Sequence, residues 1–173
     1  MFADSGHRDI RPRRSRKTVL ALLSELDNYN RALPTDSVAE QDSFANMLNN
    51  LRRIARPGSN IFLISDFAGI EQPHANEHLF QLAQHTQMTA IHCSDTLEGE
   101  LPRAGLYAVT NGESRSELHT ADKGLRRQYT QAYRERNQAL HTTLQRLGIP
   151  CLEARTDQAP FSTLQTYYGE NKR

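Results

Sequence analysis

The chain has 173 residues, a formal net charge of +1 and an apolar fraction of 37%. This length fits one domain over residues 1–173, large enough to bury a core, and the near-neutral charge gives no general attraction to nucleic acid or an anionic membrane. No window approaches the roughly 18 to 20 apolar residues that cross a bilayer, and no signal peptide opens the chain, so we expect a cytoplasmic protein without a membrane segment.

The two cysteines, Cys93 and Cys151, each lie in a short apolar run. This setting favours buried, reduced thiols over a disulfide.

The first third of the chain predicts two helices after a basic, irregular start with a possible strand near 8–11. Residues 16–33 place Val19, Leu20, Leu22, Leu23 and Leu26 on one broad helical face. A polar loop is expected at 35–41. A second helix, at about 42–56, carries Phe44, Met47, Leu48, Leu51 and Ile54.

The remainder alternates between strands and helices. Residues 60–65, NIFLIS, predict a strand covered on both faces, and Pro73 begins a helix. MTAIHC predicts a second strand, 95–105 a loop, and the pieces around Asn111 and Gly112 a hairpin. A long helix at 121–147, a strand in IPCLEA and a closing helix in PFSTLQTYY follow. The pattern indicates an α/β fold with a mainly parallel sheet.

Acidic residues follow all three predicted parallel strands. Asp66, Asp95 and Asp157 come at or soon after the strand ends, where ligands bind in open α/β sheets. Asp66 is the best placed, because it follows the apolar run directly. Aspartate is also a common helix cap and turn former, so both interpretations of Asp66 stay open.

Four ordered blocks are similar to one bacterial family. RPRRSRKTVLALLSEL, RIARPGSNIFLISDF, AIHCSDTLEGELPRAGLYAV and LQRLGIPCLEART resemble the carboxy-terminal half of the proteins called domain of unknown function 58. The resemblance implies a doubly wound, Rossmann-like fold of the von Willebrand factor A type. It also implies a partner, a MoxR-type AAA+ ATPase, in complex assembly or cofactor insertion.

Such a fold can carry a metal-ion-dependent adhesion site that holds Mg²⁺ or Mn²⁺ through oxygen ligands. In the family pattern an Asp-x-Ser-x-Ser loop, a threonine and a later aspartate bind the ion. Asp66 falls at the position of the later aspartate. Asp42 and Ser43 lie where the threonine is expected, with Thr35 further back.

The chain departs from this pattern because it contains no Asp-x-Ser-x-Ser sequence. We therefore expect the metal site to be incomplete and the first strand to lie upstream, so that this chain is part of a longer protein. The resemblance implies membrane-spanning helices before this domain in that longer protein. We expect no cofactor in this chain, with Mg²⁺ or Mn²⁺ possible in the full-length protein. The strand at 60–65 would then expose an unpaired edge and favour homo-oligomers.

Four other patterns allow weaker interpretations. HANEH at 74–78 has the spacing of an inverted zinc-peptidase motif, although a solvated helix start fits better. A basic run indicates a partner-docking or solvated face rather than a phosphate-binding patch; it comprises Arg8, Arg11, Arg13, Arg14, Arg16 and Lys17. Asp95, Glu98 and Glu100 lie in a loop that either makes contacts with a partner or is merely solvated. His92 and Cys93 are adjacent in a strand, which separates them onto opposite faces.

Two functions follow as expectations. The first is a non-enzymatic protein-interaction domain that acts with the AAA+ ATPase. The alternative is a small Mg²⁺-dependent α/β hydrolase or phosphotransfer enzyme using Asp66 and Asp95, which would lack a convincing nucleophile or phosphate loop.

Overall fold

A computed structural model describes residues 2–3, 6–7, 10, 14–31, 43–110 and 114–169. The chain groups into two compact units. The smaller comprises residues 1–43 and 108–117, and the larger comprises residues 44–107 and 118–173. The prediction of a single domain stays a prediction.

Among the described residues, the amino-terminal part of the smaller unit contains two short strands and one helix. Strands β1 (Phe2–Ala3) and β2 (Gly6–His7) pair antiparallel. Helix α1 (Arg16–Arg31) begins after Ser15, whose hydroxyl oxygen accepts from the backbone N–H of Thr18 at 3.2 Å. The predicted leucine-rich face is present in α1 but is not buried, with Leu23 55% exposed. The predicted strand near 8–11 and loop at 35–41 lie outside the described residues, apart from Ile10.

The larger unit supplies most of the fold. Its elements are α2 (Ser43–Ile54), β3 (Asn60–Ser65), α3 (Pro73–His85), β4 (Gln87–Ser94), α4 (Thr96–Gly99), α5 (Lys123–Arg146), β7 (Cys151–Arg155) and α6 (Pro160–Gly169). Strands β5 (Leu106–Thr110) and β6 (Arg115–His119) form a separate two-stranded sheet, most of which belongs to the smaller unit. The turn predicted at Asn111 and Gly112 lies outside the described residues.

The central sheet has the order β3-β4-β7, and both pairs are parallel. In this register Leu63 lies beside Ala90, and His92 lies beside Glu153. The predicted α/β class with a parallel, Rossmann-like sheet is confirmed, while the von Willebrand factor A detail stays a prediction.

No helix among the described residues is long and apolar enough to span a membrane.

One face of this sheet is covered by helices. Both crossovers step in the same direction along the sheet, so right-handed connections place α3 and α5 on the same side. Their leucines share one buried cluster with alternate residues of β3 and β4; it includes Leu79, Leu82, Leu140, Leu144, Ile61, Leu63, Met88 and Ala90. Helix α2 contributes Phe44, Ala45 and Leu48. Gly148 has φ +67°, and this left-handed residue ends α5 before the chain enters β7.

The other face of β3 is open. Phe62 is 55% exposed and Ile64 is 67% exposed, whereas Ile61 and Leu63 between them are buried. The prediction that NIFLIS is covered on both faces is therefore wrong for the described part of the chain. The sequence did not reveal this difference, because Phe62 and Ile64 on the open face are as apolar as Ile61 and Leu63 on the covered face.

The segment between β4 and β5 is more ordered than the predicted loop. It begins with α4, and α5 holds it in place: the Tyr129 hydroxyl donates to the Leu97 carbonyl at 2.8 Å, and the Tyr133 ring packs against Gly99. The Arg126 guanidinium donates to the carbonyls of Leu101 and Pro102. Tyr129 and Tyr133 thus pack on this segment and are not members of the central core cluster.

Adjacent residues of β3 test this one-sided packing. Leu63→Ala removes buried methyl groups and should lower the free energy of unfolding by about 2–5 kcal/mol. Ile64→Ala, on the open face, should change it by less than about 1 kcal/mol. Urea unfolding followed by circular dichroism measures both values. Equal losses would show that the outer face of β3 is covered in solution.

Candidate functional site at the carboxyl ends of the strands

The turn after β3 is built around the side chains of Ser65 and Asp66. The Ser65 hydroxyl oxygen accepts from the Phe67 N–H at 3.0 Å, and the Asp66 Oδ1 atom accepts from the Ala68 N–H at 3.1 Å. The Ser65 hydroxyl also donates to Asp66 Oδ1 at 3.3 Å. Asp66 is exposed. Its carboxylate therefore acts as a turn cap, and its predicted role as a metal ligand stays a prediction.

This turn holds Phe67 in an unfavourable backbone conformation. Phe67 has φ +56°, in the left-handed region that bulky residues rarely adopt. Its ring is buried, 5.8 Å from the Phe44 ring and 6.2 Å from the His92 ring between centroids. Burial of the ring and the two backbone hydrogen bonds together offset the strain.

The end of β4 is closed by a reciprocal cap. Asp95 Oδ1 accepts from the Leu97 N–H at 2.8 Å, while Glu98 Oε1 accepts from the Asp95 N–H at 2.8 Å. This is a capping box. The other Glu98 oxygen lies 3.4 Å from Arg136 Nη2 on α5. Asp95 and Glu98 thus have structural roles, and the predicted contact of Asp95, Glu98 and Glu100 with a partner stays a prediction.

The ends of β4 and β7 are joined through Asp95. The Thr156 hydroxyl donates to Asp95 Oδ2. This bond, followed by that from the Leu97 N–H, lowers the pKa of Asp95 from its ordinary value. Next to it, Arg155 donates two hydrogen bonds to Asp157, at 2.9 and 2.7 Å. These bonds lower the pKa of Asp157.

The weaker metal candidates are not described at side-chain level. Asp42 lies outside the described residues, and Ser43 begins α2 without a described side chain. The predicted metal role of both stays a prediction.

A different cluster of metal-ligating type lies on the covered side of the sheet. In the described part of the chain, His92, His141 and Glu153 bring one ligand atom each within 4.8 Å of one another. His92 Nδ1 is 3.0 Å from Glu153 Oε2, and His141 Nε2 is 2.9 Å from Glu153 Oε1. His92 is buried, while the other two side chains are about half exposed.

The two histidines act on the charge of Glu153. The hydrogen bond from His92 is the main cause of a lowered pKa of the Glu153 carboxyl. Glu153 is therefore ionised at neutral pH and accepts from both rings. We call His92, His141 and Glu153 the His–Glu–His cluster.

Sequence reasoning missed this cluster because its members lie far apart along the chain. Residues 92 and 153 meet through the parallel register of β4 and β7, and His141 comes from α5. An informative signal was present: a polar, ionisable residue inside each of two predicted strands, His92 and Glu153, requires a polar partner where it is buried.

The cysteines do not contribute a nucleophile. His92 is buried on the covered face and Cys93 is half-buried on the opposite face, which confirms that they point apart. Both thiols are free. Burial is the main cause that raises the pKa of Cys93, and it helps raise that of Cys151 to about 11, so both remain protonated near neutral pH.

The HANEH motif lies on the first turns of α3, which begins at Pro73 as predicted. His78 Nδ1 is 2.7 Å from Arg52 Nη1 on α2. His78 therefore contacts α2, and the interpretation of this segment as a solvated helix start stays a prediction.

Comparison of the sequence with known protein families identifies the family of this chain. A family model described as protein of unknown function DUF58 matches residues 1–139, so the chain belongs to this family. No curated protein and no solved structure matches the chain.

The Asp95–Thr156 bond can be tested by acid titration. Thr156→Val removes the hydroxyl and should raise the Asp95 pKa towards its ordinary value of 3.8. Because the folded pKa is lowered, the bond stabilises the fold above about pH 3.8, and this stabilisation is lost as the pH falls through the folded value. Carboxyl carbon NMR measures the pKa. Thr130→Val, which loses a bond to the Gly99 carbonyl instead, should leave it unchanged.

Proposed function

We propose that this DUF58 protein is a non-enzymatic interaction domain that docks on a MoxR-type AAA+ ATPase, in complex assembly or cofactor insertion. The family match supplies only a family of unknown function. The choice of partner rests on what the family resemblance implies. A cytoplasmic location belongs to the same proposal.

The observation that supports a docking role is that β3 has an unpaired edge and exposed apolar side chains among the described residues. Among the described strands, β3 pairs only with β4. Its second edge leaves backbone N–H and C=O groups that can pair with a strand of another chain. Phe62 and Ile64 add exposed apolar side chains on the same strand. Backbone pairing and apolar contact together would give both affinity and specificity.

Asp66 lies at the end of this strand and adds a negative charge to the surface. Its Oδ1 atom caps the turn, but a carboxylate has about four lone-pair sites. Capping is therefore compatible with metal binding. In the proposed function Asp66 contributes to metal-assisted docking with Mg²⁺ or Mn²⁺ when an upstream loop supplies the other ligands.

A charged residue on β3 tests the docking surface. Ile64→Glu should weaken binding to the purified MoxR-type ATPase from the same genome at least about tenfold, because it buries a charge in an apolar contact. Binding is measured by interferometry with and without Mg²⁺ and ATP. Phe80→Glu is the matched control, since Phe80 is an exposed apolar residue on α3.

Three outcomes are informative. Selective loss in Ile64→Glu supports the proposal, and equal loss in both variants places the contact elsewhere. No binding by the unaltered chain contradicts the proposed partner. Light scattering tests whether a second copy of the chain binds at this edge instead. A dimer that forms at high protein concentration and is abolished by Ile64→Glu would show that a second copy pairs with β3.

The enzymatic alternative requires Asp66 and Asp95 to share Mg²⁺. Each carboxylate caps its own turn, which is compatible with metal binding, but the sequence offers no convincing nucleophile or phosphate loop to act beside the ion. We therefore expect no Mg²⁺-dependent hydrolysis of phosphoesters above the level of Asp66→Ala. Turnover that this substitution abolishes would replace the interaction proposal by the enzymatic one.

A further inference from the structure

We propose that the His–Glu–His cluster binds one Zn²⁺ ion through His92, His141 and Glu153. This inference is independent of the proposed docking function, because the cluster lies on the covered face of the sheet and Phe62 and Ile64 lie on the open face.

Three separate elements fix the three side chains. His92 and Glu153 are register partners on β4 and β7, so their Cβ atoms point to the same side of the sheet. His141 reaches the same carboxylate from α5, whose Leu140 and Leu144 are buried in the core. The ligand atoms are thus held by the backbone of the fold rather than by a mobile loop.

The donor set selects the metal. Two imidazole nitrogens and one carboxylate oxygen are typical ligands of Zn²⁺. Magnesium and calcium prefer sets made entirely of oxygen. The cluster therefore differs in chemistry from the Mg²⁺ or Mn²⁺ site that the family resemblance implies around Asp66.

The distances require small movements. Tetrahedral zinc with bonds of about 2.1 Å separates its ligand atoms by about 3.4 Å. His92 Nδ1 lies 3.0 Å from Glu153 Oε2, and His141 Nε2 lies 2.9 Å from Glu153 Oε1, so the pair that includes the zinc-binding oxygen would open slightly. The ligand atoms lie no more than 4.8 Å apart, so the widest pair would close. Rotation of the half-exposed His141 and Glu153 side chains can supply both changes.

The surroundings leave one position open. The Phe67 ring packs against His92, whose side chain is 4% exposed, whereas His141 and Glu153 are 45% and 46% exposed. A metal here would be sheltered on the Phe67 side and open to solvent on the other. Water would complete the tetrahedron, as in zinc sites with three protein ligands.

The competing explanation is a hydrogen-bonded triad that ties α5 to the sheet. An ionised Glu153 can accept from both rings without any metal. The two explanations differ in one measurable property, because a hydrogen-bonded triad does not require zinc affinity. Family membership does not decide between them, since His141 and Glu153 lie beyond the matched residues 1–139.

The test is zinc binding by the full chain after treatment with a chelator. Competition with a chromophoric chelator should show one Zn²⁺ per chain, and Co²⁺ should give the visible absorption of a tetrahedral complex. His141→Ala and Glu153→Gln should each weaken binding at least about 100-fold, because loss of groups that merely support a ligand already costs 10–100-fold.

The controls separate this site from other imidazoles. His74→Ala removes an exposed histidine of the HANEH motif and should leave the affinity unchanged. Circular dichroism of each variant without metal confirms that it is folded; His141 and Glu153 are exposed enough to be replaced. No zinc binding by the unaltered chain, or equal binding by the folded His141→Ala variant, would overturn the proposal.

Discussion

The parallel pairing of β4 with β7 is the constraint on which the rest of the larger unit depends. It places Ala90 beside Cys151 and His92 beside Glu153. Because side chains alternate along a strand, a slip of one residue would move every residue of β7 to the opposite face. Glu153 would then move away and leave the buried His92 without its partner, at a cost typical of an unpaired polar group. The hydrogen bond between the two side chains and the apolar pattern therefore specify the same register.

The direction of the strand order has a second consequence. Since β3, β4 and β7 follow one another across the sheet, their crossover helices cover one face and form one core with α2. The opposite side of β3 then carries Phe62 and Ile64 at the surface. The edge and face of β3 suit a protein partner, while the His–Glu–His cluster uses the side that the helices support. Two separate functions can therefore share one small sheet.

The sequence predicted the elements whose signals are local. The NIFLIS run predicted both ends of β3 correctly, and Pro73 predicted the start of α3. It did not predict α4, because four residues carry no periodicity, although Asp95 and Glu98 have the spacing of a capping box. Exposure of the α1 leucines and of Phe62 was also missed, since hydrophobicity shows a preference for burial and not what is available to cover a side chain. The cluster depends on contacts between residues 92, 141 and 153, which no local pattern contains.

The turn at Asp66 connects the two surfaces physically. Its carboxylate holds the backbone that keeps Phe67 in a left-handed conformation, and the Phe67 ring packs against His92. Replacing Asp66 by alanine therefore removes a charge beside β3 and also loosens the packing around His92. Asparagine preserves the turn, because its side-chain oxygen accepts the same backbone hydrogen bond, while it removes the charge. An effect shared by Asp66→Ala and Asp66→Asn reports on charge at the docking surface. A loss of partner binding that only Asp66→Ala causes reports on the turn. In that case Asp66→Ala should also weaken metal binding at the His–Glu–His cluster.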